Sequence, residues 1–301
     1  MPAIGERAAD AAYAFGWTIV RKLPERLVQA VFRRLADRMW RRRGRGVRQL
    51  EKNLSRVLAK DGDYDAAGDD VRRLSRRVMR SYFRYWLEVF RLPEMSRDRI
   101  VSGMHMADKE YERLHEALAS GRGVILALPH MGNYEHAGAW LVYQGYPFTT
   151  VAERLKPESL FDRFVAFRES LGMEVLPHSG GGAFGTMARR LRAGRAVCLV
   201  VDRDLSESGI NVEFFGKTAR MPGVAAALAV QTRAALIPVT LWYEGDDWGA
   251  RIHEEIPVPD EGERHVKVRA MTQELAREFE KGIAEHPEDW HMLQRVWLED
   301  L

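Results

Sequence analysis

The chain has 301 residues, of which 46% are hydrophobic and 30% charged, a composition typical of globular proteins with a large core. Its single cysteine, Cys198, excludes a disulfide framework, and no apolar run approaches the ~20 residues that a membrane-spanning helix needs. Residues 1–100 contain 24 basic against 13 acidic residues, a net charge of +11, which leaves −8 for the remaining 201 residues. This basic N-terminal region attracts polyanions, either nucleic acid or an anionic membrane surface.

The N-terminal region is predicted to be helical at residues 9–58 and again at 71–92, with an acidic loop at 61–70 between the two parts. Apolar residues recur every four positions in the first part, and arginines occupy its other faces. These apolar residues are Leu27, Val31, Leu35 and Met39. If a basic amphipathic segment of this kind meets a membrane, it lies on the surface and does not cross it.

From about residue 123, strands alternate with helices, which predicts an α/β fold with a mostly parallel central sheet flanked by helices. The predicted strands are 123–128, 147–152, 174–177, 196–202, 210–215, 236–243 and 250–258. The predicted helices are 134–144, 158–171, 183–193, 222–233 and 264–285. We expect residues 111–301 to form one structural unit, with residues 1–110 as a helical, basic, membrane-associating extension packed on it.

The first predicted strand ends close to a histidine and a glutamate that are five residues apart. His130 would lie at the carboxyl end of this strand, where open α/β sheets carry their chemistry. Gly132 would allow a turn and Asn133 would cap the next helix, which places Glu135 in its first turn. From there the carboxylate of Glu135 would orient the imidazole of His130 and form a general base. The same spacing also suits a loop histidine and a helix-capping carboxylate, so both interpretations stay open at this point.

The sequence supports a metal site or an enzyme nucleophile less well than the general base formed by His130 and Glu135. His136 would add a second zinc ligand beside Glu135, but the HExxH spacing and a cysteine pair are absent from the sequence. No GxSxG motif follows a strand, and Cys198 lies in the middle of one. We therefore expect no metal and no cofactor, and any acyl chemistry would be direct transfer to an acceptor.

Other charged residues are candidates for substrate contacts. Asp202 and Arg203 follow a predicted strand and would project from the same sheet edge as His130. There the carboxylate would bind or polarise an acceptor hydroxyl while Arg203 holds an anionic group, although a salt-bridged turn explains both residues as well. Arg168 has aromatic and aliphatic neighbours, so it needs an anion, either a substrate phosphate or a structural carboxylate.

Four segments together resemble the lysophospholipid and lipid A acyltransferase superfamily, with its HxxxxD/E motif, and more narrowly the actinobacterial phosphatidylinositol mannoside acyltransferases. The segments are PHMGNYEHAGAW at 129–140, FVAFRESLGMEVLP at 164–177, VVDRDLSESGINVEFFGKTARMPG at 200–223 and PEDWHMLQRVW at 287–297. The resemblance covers about residues 10–300. It implies transfer of a long acyl chain, typically palmitoyl from the co-substrate acyl-CoA, to a mannose hydroxyl of a phosphatidylinositol mannoside at the inner leaflet.

The resemblance also implies roles for individual residues. His130 matches the base of the family, Glu135 matches the acidic position of the motif, and Arg168 matches an arginine that meets substrate phosphate. Asp202 matches a second acidic position, which acts either as a relay partner or as an acceptor contact. Ser206 and Ser208, in the polar loop that follows, are weaker matches for substrate contacts.

The mechanism implied by residues and resemblance together is general-base catalysis. His130 takes the proton of a sugar hydroxyl, the oxygen attacks the thioester, Glu135 stabilises the imidazolium, and coenzyme A leaves. The oxyanion would be stabilised by a backbone N–H near Gly132 and Asn133. The N-terminal arginines would hold the protein at the cytoplasmic face of the cell membrane, as a peripheral protein, and deliver an anionic glycophospholipid acceptor.

Two alternatives remain from the sequence. One is an acyltransferase that acts on another lipid acceptor, such as a lipid A precursor or a lysophospholipid. The other is a non-catalytic protein that binds membrane or nucleic acid through its basic arm. Residues 27–56 contain only Phe32 and Trp40 as aromatic residues for base stacking, so we expect no nucleic-acid partner.

Overall fold

Helices surround a central sheet in the computed structural model, which describes residues 20–59, 68–152, 158–177, 182–204 and 208–301. The α-helices with both ends described are α1 (Glu25–Arg42), α2 (Arg45–Leu58), α3 (Gly68–Arg91), α4 (Arg97–Ser102), α5 (Asp108–Ala119), α6 (Tyr134–Tyr143), α7 (Glu158–Ser170), α8 (Ala183–Arg192), α9 (Val224–Thr232) and α10 (Arg264–Glu285). The strands are β1 (Met104–His105), β2 (Val124–Leu128), β3 (Phe148–Ala152), β4 (Glu174–Pro177), β5 (Ala196–Val200), β6 (Ile210–Phe214), β7 (Lys217–Met221), β8 (Ala235–Glu244) and β9 (Asp247–Ile252).

Seven strands form one sheet in the order β1-β9-β8-β2-β5-β3-β4. Neighbouring strands of this sheet run parallel, except that β9 is antiparallel to β8. Strands β6 and β7 pair separately as an antiparallel hairpin. The predicted α/β fold, with a mostly parallel sheet flanked by helices, is confirmed.

The core lies on both faces of β2, because all five of its residues are apolar and buried. Alternate side chains of a strand point to opposite faces of the sheet. Ile125 and Ala127 pack in a cluster with α8, α9 and α10, whereas Leu126 and Leu128 pack in a second cluster with α5, α6 and β8. A strand covered on both faces has a continuous apolar sequence, which is why its position could be predicted.

Some strand boundaries differ from the prediction. The strand predicted at 250–258 is β9, which ends earlier, at Ile252, and begins earlier because the chain turns back at Gly245, where φ is +62°. The strand predicted at 210–215 is β6, but the sequence analysis did not predict its partner β7 or the two-residue strand β1. The hairpin and the short edge strand therefore add to the predicted architecture without changing the central sheet.

The helical region predicted at 9–58 is interrupted within its described part. Helix α1 ends because Arg43 adopts a left-handed backbone conformation, with φ 46° and ψ 47°, and α2 then starts in a new direction. The predictions at 9–19 and 61–67 lie outside the described residues. None of the helices in the described ranges combines the length and the apolar character that a membrane span requires.

Helices α2 and α3 pack on each other through a buried apolar cluster, and Leu293, near the end of the chain, packs against this cluster. The buried side-chain amide of Asn53 donates hydrogen bonds of 2.8 Å to the carbonyl oxygens of Met292 and Gln294. The guanidinium of Arg56 donates a bond of 2.7 Å to Asp300. The N-terminal helices therefore hold the end of the chain, while the division of the chain at residue 110 stays a prediction.

Candidate active site

Two neighbouring parallel strands bring His130 and Asp202 together. Strands β2 and β5 pair in register, with Leu128 opposite Val200, so the residues just beyond their carboxyl ends meet at one sheet edge. The Nδ1 atom of His130 lies 2.5 Å from Oδ1 of Asp202. The backbone N–H of His130 also donates a hydrogen bond of 2.9 Å to Oδ2 of Asp202. The two side chains form a dyad in which the carboxylate fixes the imidazole.

The environment of Asp202 keeps its carboxylate charged. The side chain is 0% exposed, and its Oδ2 also accepts a hydrogen bond of 2.9 Å from the indole N–H of Trp290. Burial alone would raise the pKa of Asp202, but the electrostatic interaction with His130 and the three hydrogen bonds hold the pKa below its ordinary value. Because Nδ1 of His130 is bound to this carboxylate, Nε2 is the ring nitrogen left to accept a proton from a substrate.

The structure differs from the prediction that Glu135 orients the imidazole of His130. Both carboxylate oxygens of Glu135 are bound by Arg168 of α7, through Nε at 2.9 Å and through Nη2. The Glu135 side chain is 5% exposed and the Arg168 side chain 19% exposed. Burial would lower the pKa of Arg168, but the charge and hydrogen bonds of Glu135 outweigh burial and raise the pKa. The anion required by Arg168 is thus the carboxylate of Glu135, and Asp202 is the partner of His130.

Gly132 and Asn133 shape the turn between β2 and α6, as expected. The Oδ1 atom of Asn133 caps the helix by accepting the backbone N–H of His136 at 3.0 Å, and its Nδ2 donates to Glu88 at 2.7 Å. Gly132 has a φ of +57°, and a Cβ atom there would lie 2.7 Å from the carbonyl carbon of Leu241, so only glycine fits.

The turn also narrows the choice of oxyanion donor. The backbone N–H of Gly132 already donates to the carbonyl oxygen of Asp289 at 2.9 Å, so it is not available to a reacting oxygen. Of the two amides predicted as oxyanion donors, the N–H of Asn133 is left, but Asn133 is buried and is not among the residues that line the cavity, so its role as a donor stays a prediction. The side chain of Asn133, in contrast, is committed to the helix cap and to Glu88.

A cavity of about 990 Å³ adjoins the dyad. It lies at the upper end of the range of about 300–1,000 Å³ that ligand pockets occupy. Several ionisable residues contribute to its lining, namely His130, Glu135, Arg168, Arg203 and Asp204. Much of the wall is apolar and includes Leu126, Leu128, Trp140, Leu141, Phe148 and Met173. The cavity therefore suits an amphiphile that carries a long hydrocarbon chain and a polar or anionic head.

The remaining predicted contacts lie at this cavity or outside the described residues. Arg203 and the exposed Ser208 are among the residues that line the cavity. Asp204 accepts a hydrogen bond of 3.1 Å from the backbone N–H of Gly209, as a carboxylate in a turn does. Ser206 is not among the described residues, so its contact with substrate stays a prediction.

The contact of segment 287–291 with the dyad was not predicted from the sequence. The residues of this segment lie antiparallel to the turn after β2, with Trp290 opposite Met131. The backbone N–H of His291 donates to the carbonyl oxygen of His130 at 2.8 Å. The block PEDWH in the sequence was a signal, but nothing in its composition indicated a contact with a histidine more than 150 residues earlier in the chain.

A buried carboxyl group in this segment is expected to make stability depend on pH. Asp289 is 4% exposed and accepts hydrogen bonds from Ser81 at 2.6 Å and from the N–H of Tyr243 at 2.9 Å. Burial outweighs these bonds and raises the pKa of Asp289 from 3.8 to about 6. The folded chain therefore holds this proton more tightly than the unfolded chain, and the stability that it contributes is lost as the pH rises from 3.8 through 6.

We expect Asp289→Asn to remove this loss. The amide of the new asparagine can donate to Ser81 and accept from the N–H of Tyr243. The free energy of unfolding of the variant, relative to that of the wild type, should therefore increase between pH 4 and 6.5. The change in pKa from 3.8 to about 6 corresponds to a gain of up to roughly 3 kcal/mol. Urea unfolding at a series of pH values measures the difference. A difference that stays constant from pH 4 to 7 would contradict the prediction.

The described part of the chain contains no group of three or more His, Cys, Asp or Glu side chains arranged to hold a metal ion. Cys198 lines the cavity, and burial raises the pKa of its thiol well above the usual range, so the thiolate that a nucleophile requires is disfavoured. The His130–Asp202 dyad is therefore the group at this cavity with the geometry of a general base.

Comparisons with known proteins agree with this chemistry. The model of the bacterial lipid A biosynthesis acyltransferase family matches residues 4–299. A phosphatidylinositol mannoside acyltransferase of Mycolicibacterium smegmatis is 47% identical over 300 residues, which is 99% of this chain and 94% of the relative. One from Mycobacterium tuberculosis is 49% identical over 296 residues, 98% of this chain and 90% of the relative. A lipid A biosynthesis acyltransferase of Haemophilus influenzae is 25% identical over 191 residues, 62% of this chain and 56% of the relative. The chain therefore belongs to the bacterial lipid A biosynthesis acyltransferase family, and within it to the group of the phosphatidylinositol mannoside acyltransferases.

Proposed function

We propose that the protein transfers a long-chain acyl group, palmitoyl, from acyl-CoA to a mannose hydroxyl of a phosphatidylinositol mannoside. The observation that carries the proposal is the His130–Asp202 dyad beside a large, mostly apolar cavity. The names of the relatives that are 47% and 49% identical support the acceptor class. No cofactor or metal is required for this reaction.

The reaction that fits this geometry is a single displacement. The Nε2 atom of His130 takes the proton of the sugar hydroxyl while the hydroxyl oxygen bonds to the thioester carbonyl carbon. The carbon–sulfur bond then breaks, and the imidazolium returns its proton to the thiolate of coenzyme A. Asp202, 2.5 Å from Nδ1, stabilises the imidazolium between these two steps. We assign the attraction of the anionic headgroup to Arg203, a cationic side chain that lines the cavity.

We further propose that α1 holds the protein to the cytoplasmic face of the cell membrane. The four apolar residues predicted to form a stripe, Leu27, Val31, Leu35 and Met39, are 43–51% exposed. Six arginines of the same helix are also exposed, namely Arg26, Arg33, Arg34, Arg38, Arg41 and Arg42. An exposed apolar stripe beside basic residues is typical of a helix that lies in the interface of an anionic membrane. Nucleic acid is not proposed, because the exposed stripe is aliphatic and offers no base-stacking surface.

The α1 proposal predicts that Leu27→Glu/Leu35→Glu weakens binding to vesicles that contain anionic lipid by roughly tenfold or more, because two exposed leucines that would insert into the membrane interface are lost. A flotation or sedimentation assay with phosphatidylinositol-containing vesicles measures this. Val266→Glu in α10 is the matched control, because Val266 is 50% exposed. Equal binding by the double variant and this control would contradict the proposal.

The acyl-transfer proposal is tested by offering purified protein radiolabelled palmitoyl-CoA with three acceptors in parallel. We expect an acylated phosphatidylinositol mannoside and little product from a lysophospholipid or a lipid A precursor. Product from only one of the other two acceptors would contradict the proposed acceptor but support acyl transfer as the reaction. An absence of product from palmitoyl-CoA with all three acceptors would contradict acyl transfer itself.

A further inference from the structure

The C-terminal segment reaches the catalytic dyad through one side chain. Two backbone hydrogen bonds fix 287–291 beside the turn after β2, one from His291 to His130 at 2.8 Å and one from Gly132 to Asp289 at 2.9 Å. Between them, Trp290 directs its indole N–H to Oδ2 of Asp202 at 2.9 Å. Within the described part of the chain, Trp290 and His130 are the residues whose side chains donate hydrogen bonds to this carboxylate.

The three hydrogen bonds to Asp202 have different consequences. Oδ2 accepts two N–H groups, the backbone N–H of His130 and the indole N–H of Trp290, while Oδ1 faces Nδ1 of His130. The rotation of a carboxylate about its Cβ–Cγ bond is intrinsically broad. Two donors that converge on one oxygen restrict this rotation, and the other oxygen is then held toward the imidazole.

Trp290 is itself held rigidly. Its side chain is 0% exposed, and its ring makes edge-to-face contacts with Phe214 and Trp297, each with a centroid distance of 6.1 Å. The indole N–H of Trp297 donates to the backbone carbonyl of Phe214 at 2.9 Å. The two buried tryptophans therefore differ in the acceptor of the indole N–H. Trp290 donates to the dyad, whereas Trp297 donates to a backbone carbonyl.

We propose that Trp290 is a positioning residue for acyl transfer, whose indole N–H orients the Asp202 carboxylate so that His130 presents Nε2 to the cavity. Its contribution to turnover rests on the proposed function, whereas its contact with Asp202 does not. The proposal distinguishes Trp290 from a residue that only fills the core. A residue of that kind would affect stability without affecting the ionisation of the dyad.

The contact between Trp290 and Asp202 can be tested by NMR, which needs no activity measurement. Each of the eight tryptophans has one indole N–H group and gives one signal. Trp290→Phe and Trp297→Phe each delete one signal and so assign both. The two bonds have the same length of 2.9 Å, but a bond to a charged carboxylate is stronger than one to a neutral carbonyl, so the Trp290 proton should resonate downfield of the Trp297 proton. In Asp202→Asn the Trp290 signal should move upfield while the Trp297 signal keeps its position. A Trp290 signal that does not respond to Asp202→Asn would overturn the proposal.

The effect on catalysis is tested by comparing the same two phenylalanine variants. Trp290→Phe should lower kcat roughly tenfold with little change in KM, because a hydrogen bond to a charged group is lost at the dyad. It should also move the acidic limb of the kcat/KM profile to higher pH, because the dyad loses a donor that stabilises its negatively charged carboxylate. Trp297→Phe should lower the melting temperature and leave kcat and the pH profile unchanged. Equal kinetic effects of the two variants would overturn the proposal.

A third variant covers the case in which Trp290→Phe does not fold. Benzothienylalanine at position 290 keeps the bicyclic ring and replaces the N–H with sulfur, so packing is preserved and the donor is lost. It should reproduce the tenfold loss of kcat, and wild-type kinetics with this residue would overturn the proposal. If the wild type transfers no acyl group to any acceptor, the proposed function fails, while the NMR comparison still decides the contact.

Discussion

Replacing His130 with alanine is expected to lower kcat/KM for acyl transfer by roughly 10²–10⁴-fold, the usual contribution of a positioned general base. The imidazole is 28% exposed and lines the cavity, so its removal leaves the core intact. Binding to anionic vesicles should stay unchanged, because the exposed stripe on α1 belongs to a different part of the chain. Parallel measurement of acyl transfer and vesicle sedimentation on the same preparation checks both statements.

Matched variants separate the base from a general effect of losing a histidine. His265→Ala changes a side chain that is 77% exposed and should retain full turnover. Asp202→Asn keeps the shape of the carboxylate but removes its charge, so it should lose nearly as much activity as His130→Ala. The double variant should lose little more, because the two residues act as a unit. Full turnover in His130→Ala would contradict the assignment of His130 as the base. The non-catalytic alternative predicts no acyl transfer by the wild type and a loss of function on charge reversal of Arg41–Arg45.

The central sheet could be predicted because its strands carry their own signal. Strand β2 is a run of five apolar residues, and both of its faces are covered, so the pattern needs no knowledge of distant contacts. Strand β7 was missed because the turn that joins it to β6 has an unusual residue. Phe215 adopts a φ of +48° beside Gly216 at +70°, and a phenylalanine gives no indication of a left-handed turn. Arg43 at the end of α1 is a similar case, with φ 46°.

The sequence was sufficient to predict which residues lie at the site, but not which of them bind each other. The positions of His130 and Asp202 after parallel strands place them at one edge of the sheet, as the sequence analysis expected. Which carboxylate meets the imidazole depends on the register of β2 and β5 and on where α7 packs, and neither is encoded locally. Glu135 is near His130 in sequence, but the buried guanidinium of Arg168 binds it. Local spacing therefore favoured the wrong partner.

The buried ion pair of Arg168 and Glu135 leads to the largest stability effect that we expect. Arg168→Met leaves a carboxylate that is 5% exposed without its cation, and breaking such a pair typically costs about 3–5 kcal/mol. The free energy of unfolding in urea should fall by that amount. Arg168→Met/Glu135→Gln removes the charge on both sides and should recover most of the loss, because no unpaired charge is then buried.

A second arginine–glutamate pair offers a close control for this effect. Arg190 binds Glu174 through the same two-point geometry, with distances of 2.8 Å and 2.6 Å. The two side chains of this pair are 37% and 36% exposed, so Arg190→Met should cost at most about 1 kcal/mol. Burial, and not the geometry of the fork, would then explain the difference between the variants. If Arg168→Met unfolds like the wild type and instead raises KM for the acceptor, Arg168 serves substrate phosphate and its pairing with Glu135 is secondary.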